Sequence, residues 1–162
     1  MNRFNIRDYQ INDRVACLEI FKSNNPLYFE PHEQILFEKF LDFRNGETES
    51  NPVYNNIIFD TYYIIETGEG IMGCGGFYVL KDEPTAEMAW GMIHLKDHKK
   101  GYGSLLYKYR VQKIFEYNPT LRISLNTSQH TFGFYEKMGL KVTDITKNGY
   151  GLNLDKYDMF LI

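Results

Sequence analysis

The chain has 162 residues, enough for one domain with a sizeable core, and residues 1–162 are read as a single domain. A formal net charge of −3 and a pI of about 5.8 exclude a broad face for nucleic acid or an anionic membrane, so neither is expected as a partner. Cys17 and Cys74 form no paired metal or redox spacing, and no run approaches membrane-spanning length or resembles a leader, so a soluble, cytoplasmic protein without a metal is expected.

In chain order, residues 3–8 read as a short strand. Asp13 suits the cap of a first helix running to about Lys22, with Cys17, Ile20 and Phe21 on its inner side, and Asn24-Asn25-Pro26 stops it. Pro31 suits the first turn of a second helix, whose Leu36, Phe37, Phe40 and Leu41 recur at helical spacing and whose end is marked by Gly46. The polar residues 45–56 read as an exposed loop. Residues 61–67 and 71–80 read as strands, with Gly68-Glu69-Gly70 as the hairpin between them. Gly73, Gly75 and Gly76 mark either a bulge or close approach of another chain or ligand, or simply relieve crowding in the core.

Residues 86–95 read as the next strand and 105–116 as a helix with Tyr107, Val111, Ile114 and Phe115 on its apolar stripe, ended by Asn118-Pro119. The run from Leu121 then alternates. Leu121, Ile123 and Leu125 share one face, while Arg122, Ser124 and Asn126 share the other, whose polarity hints at a cleft. Residues 129–138 read as a short helix stopped by Gly139. Residues 140–146 and 152–162 read as a hairpin joined through Asn148-Gly149. The order of elements is that of an α/β (α+β) domain.

The stretch between the 86–95 strand and the following helix contains His98-Lys99-Lys100-Gly101-Tyr102-Gly103-Ser104. A glycine turn at a helix start leaves backbone N–H groups without intrahelical partners at the positive end of the dipole, which suits a phosphate. Local positive charge gathers at Lys96, Lys99, Lys100, Lys108, Arg110 and Lys113. A dinucleotide-binding fingerprint is ruled out because Leu106 stands where the third glycine would be, and a P-loop because no Gly-Lys-Ser/Thr follows.

Ala86-Glu87-Met88-Ala89-Trp90-Gly91-Met92-Ile93, with the loop after it, resembles the fourth strand and pyrophosphate loop of the GNAT superfamily of acetyl-CoA-dependent N-acetyltransferases. Phe134-Tyr135-Glu136-Lys137-Met138-Gly139-Leu140 is similar to that family's later helix-then-strand segment. Two positions depart from the pattern: His98 stands where the loop begins with Gln or Arg, and Ser128 where Asn is frequent. The resemblance covers residues 86–162. It implies a mixed, largely antiparallel twisted sheet of about seven strands with flanking helices and a cofactor cleft between the fourth and fifth strands.

It also implies the chemistry. The acetyl group of acetyl-CoA, the co-substrate, would pass to a primary amine by direct attack on the thioester. Backbone amides of His98, Lys99, Lys100, Gly101, Tyr102, Gly103 and Ser104 would hold the pyrophosphate. Met92 and Ile93 would pair with the pantetheine arm as an added strand, and Asn126 would join the cofactor's contacts. Tyr135 is the candidate proton donor to the thiolate. Glu87 is the candidate base for an amine that is protonated at neutral pH, with small Ala89 and Gly91 on its face to leave room for substrate. His94 or a water is the alternative base; His94 lies on the opposite face unless the strand bulges. The acceptor, a small-molecule or peptide amine, would lie near Tyr28, Phe29, Tyr54, Tyr62 and Tyr63, in a monomer or homodimer. A non-catalytic acyl-CoA-binding module, or a transferase for another acyl group, is the alternative.

Overall fold

The structure, a computed structural model, describes residues 3–47 and 55–161; Tyr54 and most of the expected loop at 45–56 lie outside them. The strands β1 (Phe4–Asp8), β2 (Ile57–Thr67), β3 (Gly70–Leu80) and β4 (Thr85–Ile93) pair antiparallel in succession. The helices α1 (Arg14–Asn24) and α2 (Glu33–Arg44) stand between β1 and β2 in sequence. From β4 the chain crosses through α3 (Tyr102–Tyr117) to β5 (Arg122–Thr127), the parallel neighbour that such a crossover makes possible. After α4 (Phe132–Lys137), β6 (Leu140–Gly151) and β7 (Leu154–Leu161) complete a seven-stranded sheet in the order β1-β2-β3-β4-β5-β7-β6. This is the mixed, largely antiparallel architecture that the sequence led us to expect.

Strand alternation divides the core between the two faces of the sheet. On one side Leu106, Tyr107 and Ile114 of α3 pack with Tyr63, Ile65, Phe77, Met88 and Ile123. On the other, Cys17, Ile20 and Phe21 of α1 and Phe37 and Leu41 of α2 pack with Tyr62, Ile64, Cys74 and Met92. Both faces of β2 are therefore covered, which accounts for its run of apolar residues without alternation. Trp90 ties α1 and α2 to β4, its ring centroid 5.0 Å from that of Phe37 and 6.5 Å from that of Phe21.

Four local expectations change. Asp13 precedes α1 but does not cap it: its carboxylate takes two bonds from Arg7, at 2.7 and 2.9 Å, and one from the Gln10 amide. The planar guanidinium matches both carboxylate oxygens at once, which a lone helix amide cannot do. α3 starts at Tyr102, one turn earlier than its apolar stripe suggests, because Gly101 takes a left-handed φ of 90° and turns the chain directly into the helix. The face of Arg122, Ser124 and Asn126 is not polar and open throughout, since Ser124 is buried between Glu87 of β4 and Phe160 of β7; Arg122 and Asn126 at its two ends are exposed, and of these Asn126 lines the cleft.

The fourth change is at Asn148-Gly149, which does not form the final turn. Asn148 takes φ 53°, gives its amide to Asp155 and accepts the Asn153 amide on Oδ1. These bonds hold a bulge within β6, where the register with β7 shifts between Thr146 and Gly151, and the chain turns later, at Leu152-Asn153.

Candidate active site

The connection from β4 to α3 is a built loop. A 3-10 turn at Leu95–Asp97 follows the strand, and α1 anchors its start: Asn24 Nδ2 donates to the Ile93 carbonyl at 2.8 Å and the Leu95 amide donates to Ser23 Oγ. The His98 ring nitrogen Nε2 meets the same carbonyl at 2.9 Å, so this side chain braces the loop and does not reach outward from it. Lys100 pairs at 2.7 Å with Asp97, whose carboxyl is buried beneath the turn. Tyr102 puts its ring into the core. The first bond into the helix runs from the Leu105 amide to the Gly101 carbonyl. The amides of Gly101, Tyr102, Gly103 and Ser104 therefore have no acceptor among the described residues.

That loop forms one end of a cleft of about 880 Å³. Hydrogen-bonded pairing of β4 with β5 stops at Glu87 and Ser124. Beyond it, residues from both faces of the sheet line the same cleft: Met88, Leu106 and Leu125 from the α3 side, Phe29, Trp90 and Met92 from the α1–α2 side. Of the residues singled out from the sequence, the cleft gathers Glu87, Met92, Ile93, His98, Lys99, Gly101, Gly103, Ser104, Asn126 and Tyr135, and leaves out Lys100, Tyr102 and His94. His94 ends the strand in a turn, where its Nδ1 accepts the Lys96 amide.

A bulge sets which side chains face which side. Cys74 pairs with Met92 but Gly76 with Ala89, so Gly75 stands opposite both Trp90 and Gly91, and Trp90 takes a φ of 49°. The extra residue lies in β4, not in the glycine-rich β3. It reverses the expected orientation of Gly91, which turns away from Glu87 and toward α3, where a Cβ would meet Arg110 at 2.9 Å. The glycines of β3 also serve close approach: a Cβ on Gly76 would lie 1.9 Å from the Thr61 carbonyl oxygen of the neighbouring strand.

On the α1–α2 side, Glu87 accepts a hydrogen bond from Asn126 Nδ2 at 3.3 Å, and Asn126 Oδ1 accepts one from Tyr150 at 2.6 Å. Tyr150, brought to the cleft by the β6 bulge, has its pKa raised by burial and by the surrounding Glu33, Asp158, Tyr135 and Glu87, so it is a neutral donor at physiological pH. Glu33 also lines the cleft. Burial raises its pKa although its carboxylate accepts the Glu30 amide at 2.8 Å. Tyr135 is half-buried beside Phe134 and Tyr107. Burial pushes the Tyr107 hydroxyl, which has no partner among the described residues, up to about 12.

Glu33, Tyr150 and Arg110 escape a reading of the sequence as site residues. Glu33 sits in the first turn of a helix, where an acidic residue is ordinary. Tyr150 belongs to a stretch read as a turn, and Arg110 was singled out only as one of a local gathering of positive charges. Of the aromatics expected beside the acceptor, Tyr28 and Phe29 line the cleft, while Tyr62 and Tyr63 are core. Among the described residues no group of His, Cys, Asp or Glu could hold a metal, and no helix is long and apolar enough to cross a membrane.

Among solved structures, the chain resembles a Desulfovibrio desulfuricans protein assigned to the GNAT acetyltransferases, with a TM-score of 0.77 at 16% identity over 98% of each chain. A Vibrio cholerae spermidine N-acetyltransferase chimera gives 0.73 at 15% identity, over 98% of this chain and 95% of that one. The ribosomal-protein-S18-alanine N-acetyltransferase of Escherichia coli gives 0.72 at 14% identity, over 98% and 93%. No curated protein matches significantly by sequence. The family model described as the acetyltransferase (GNAT) family matches residues 17–140, most of the chain. The chain belongs to the GNAT family of acetyltransferases.

Proposed function

We propose that the protein is an N-acetyltransferase that moves the acetyl group of acetyl-CoA directly to a primary amine. The observation that carries this reading is the run of unpaired amides at Gly101, Tyr102, Gly103 and Ser104, opening onto a cleft that also contains Glu87 and Tyr135. Four N–H groups at the start of a 16-residue helix suit a diphosphate, because charge-assisted bonds and the helix dipole act together. Bound there, acetyl-CoA supplies the activated acyl group. The edge of β4 at Met92 and Ile93, beyond its pairing with β5, would align the pantetheine arm.

The chain's own residues then divide the remaining work. Glu87, oriented by Asn126 and Tyr150, takes the proton of the incoming ammonium directly or through a water. Tyr135 gives a proton to the departing sulfur. Phe29, Trp90 and the β4–β5 walls keep water from the thioester. Glu33 and Glu87 make the α1–α2 side of the cleft acidic, which supports a cationic amine as acceptor. Spermidine and the ribosomal-protein-S18 alanine, the acceptors named for two structural neighbours, make sensible first probes of this class. A cytoplasmic location belongs to the same reading, supported by two buried free cysteines.

The test is release of free CoA thiol from acetyl-CoA with and without a panel of amines, repeated with propionyl- and succinyl-CoA. Acceptor-dependent release, fastest with acetyl-CoA, is expected. Cofactor binding without such release would identify an acyl-CoA-binding module, and faster release with another acyl group would change the donor.

A further inference from the structure

Arg110 is 3% exposed and lies in α3 against the bulged part of β4. A Cβ on Gly91 would stand 2.9 Å from both terminal nitrogens of the guanidinium, and one on Gly75 3.2 Å from Nη1. The absence of side chains at these two positions makes its space. Among the described residues the group makes no ion pair: its single hydrogen bond there, from Nη1 to the Gly76 carbonyl, is 3.4 Å long, and Nε has no partner. A buried charge without a counter-charge costs on the order of several kcal/mol, and a guanidinium has five N–H donors to satisfy. Such a group is understandable where a ligand brings negative charge to it.

Arg110 lines the cleft, which restricts what that ligand is. Phosphates held by the loop amides end near Gly103, seven helical residues away, or about 10 Å along the axis. A carboxylate on the acceptor would have to pass Glu33 and Glu87 on the other side of the sheet. What remains is the acyl end of the donor, whose carbonyl oxygen gains negative charge during transfer. We infer that Arg110 donates a hydrogen bond to this oxygen and stabilises that charge, a role that rests on the transferase reading above. The amine lone pair forms the N–C bond while the carbonyl π pair moves onto oxygen against the guanidinium. When that pair returns, the C–S bond breaks, sulfur takes the Tyr135 proton, the nitrogen's excess proton restores the Tyr135 hydroxyl, and Glu87 releases to solvent the proton it took from the ammonium. The unpaired cation is thus organised in advance for a charge that exists only during the reaction.

The test is Arg110→Met, which keeps the length and removes the charge, with Arg110→Lys as a second variant that keeps a charge. In Arg110→Met, kcat should fall by roughly 10²–10³-fold with KM for acetyl-CoA little changed, while Tm stays the same or rises, because an apolar isostere of an unpaired buried charge is neutral or stabilising. Infrared spectra of bound acetyl-CoA carrying ¹³C in its carbonyl give a readout independent of turnover. The wild-type protein should lower the carbonyl stretch, Arg110→Met should abolish that lowering, and Arg110→Lys should keep part of it. The same stretch in the wild type and soluble Arg110→Met overturns the inference, as does lost stability with unchanged kcat. Wild-type protein that lowers the stretch but releases no thiol with any amine would sink the transferase reading and leave the Arg110 contact standing.

Discussion

The Tyr150 hydroxyl donates to Oδ1 of Asn126 at 2.6 Å, and the same Asn126 turns its amide nitrogen toward Glu87. This fixes which end of Asn126 faces the carboxylate, because a flipped amide would set oxygen against oxygen. Glu87→Gln, which keeps the shape but cannot take a proton, should lower kcat/KM by roughly 10²–10⁴-fold. Tyr150→Phe should cost about fivefold, the worth of one hydrogen bond of about 1 kcal/mol. Steady-state rates at saturating acetyl-CoA check both, and full activity in Glu87→Gln would pass the base role to water or to Glu33.

Tyr135→Phe removes one oxygen and keeps the ring contacts with Phe134 and Tyr107 at 5.0 and 6.1 Å. Turnover should fall by roughly 10²-fold or more, in the range general acids supply, with acetyl-CoA affinity unchanged by calorimetry. An unaltered rate would take Tyr135 out of the mechanism.

Gly101→Val places a β-branched residue at a φ of 90°, a conformation it resists, just where the chain enters α3. The loop amides should lose their alignment and the Kd for acetyl-CoA should rise by at least tenfold. Gly103→Val is a milder companion: its Cβ would stand 3.5 Å from Phe134, ordinary contact, but the added methyl groups crowd the cleft. Equal affinity in both variants would contradict the cradle.

Two carboxyl groups should give the stability curve opposite slopes. Burial raises the pKa of Glu33 above the ordinary value of 4.5, so the folded state holds its proton longer than the unfolded one. Its contribution is fully present below pH 4.5 and is lost as pH rises through the elevated folded value. Glu33→Gln should therefore raise Tm at pH 7 and leave it nearly unchanged at pH 4. Burial alone would also raise Asp13, but the Arg7 ion pair and the Gln10 amide outweigh it and hold the pKa below 3.8. Its contribution is present above 3.8 and disappears as pH falls through the folded value, so Asp13→Asn should lose stability at pH 7 and progressively less as pH falls below 3.8. Thermal melts across this range check both signs.

What could be read from the sequence was what local chain chemistry decides. The glycine turn before α3 was legible because Gly101 adopts a conformation other residues resist, between an apolar strand run and a run of helical period. Glu87 and Asn126 were legible as faces of alternating strands, and both reach the cleft. Gly91 was assigned to the wrong face because one extra residue in β4 reverses every side chain beyond it, and Trp90 does not look like a residue that takes a positive φ. Arg110 reads in sequence only as one of several locally gathered positive charges, since its burial depends on glycines in two other strands. Tyr150 reached the cleft through a bulge held by Asp155 and Asn153, side-chain bonds that no pattern of polarity announces.

The central claim is that free amides at the start of α3 hold the diphosphate of an acyl-CoA. Amide ¹H–¹⁵N spectra recorded during titration with CoA test it most directly. The signals of Gly101, Tyr102, Gly103 and Ser104 should shift downfield together, saturably and at one common Kd, with smaller changes at Met92 and Ile93. If these four stay in place while CoA binds, or if CoA does not bind at all, the account is wrong.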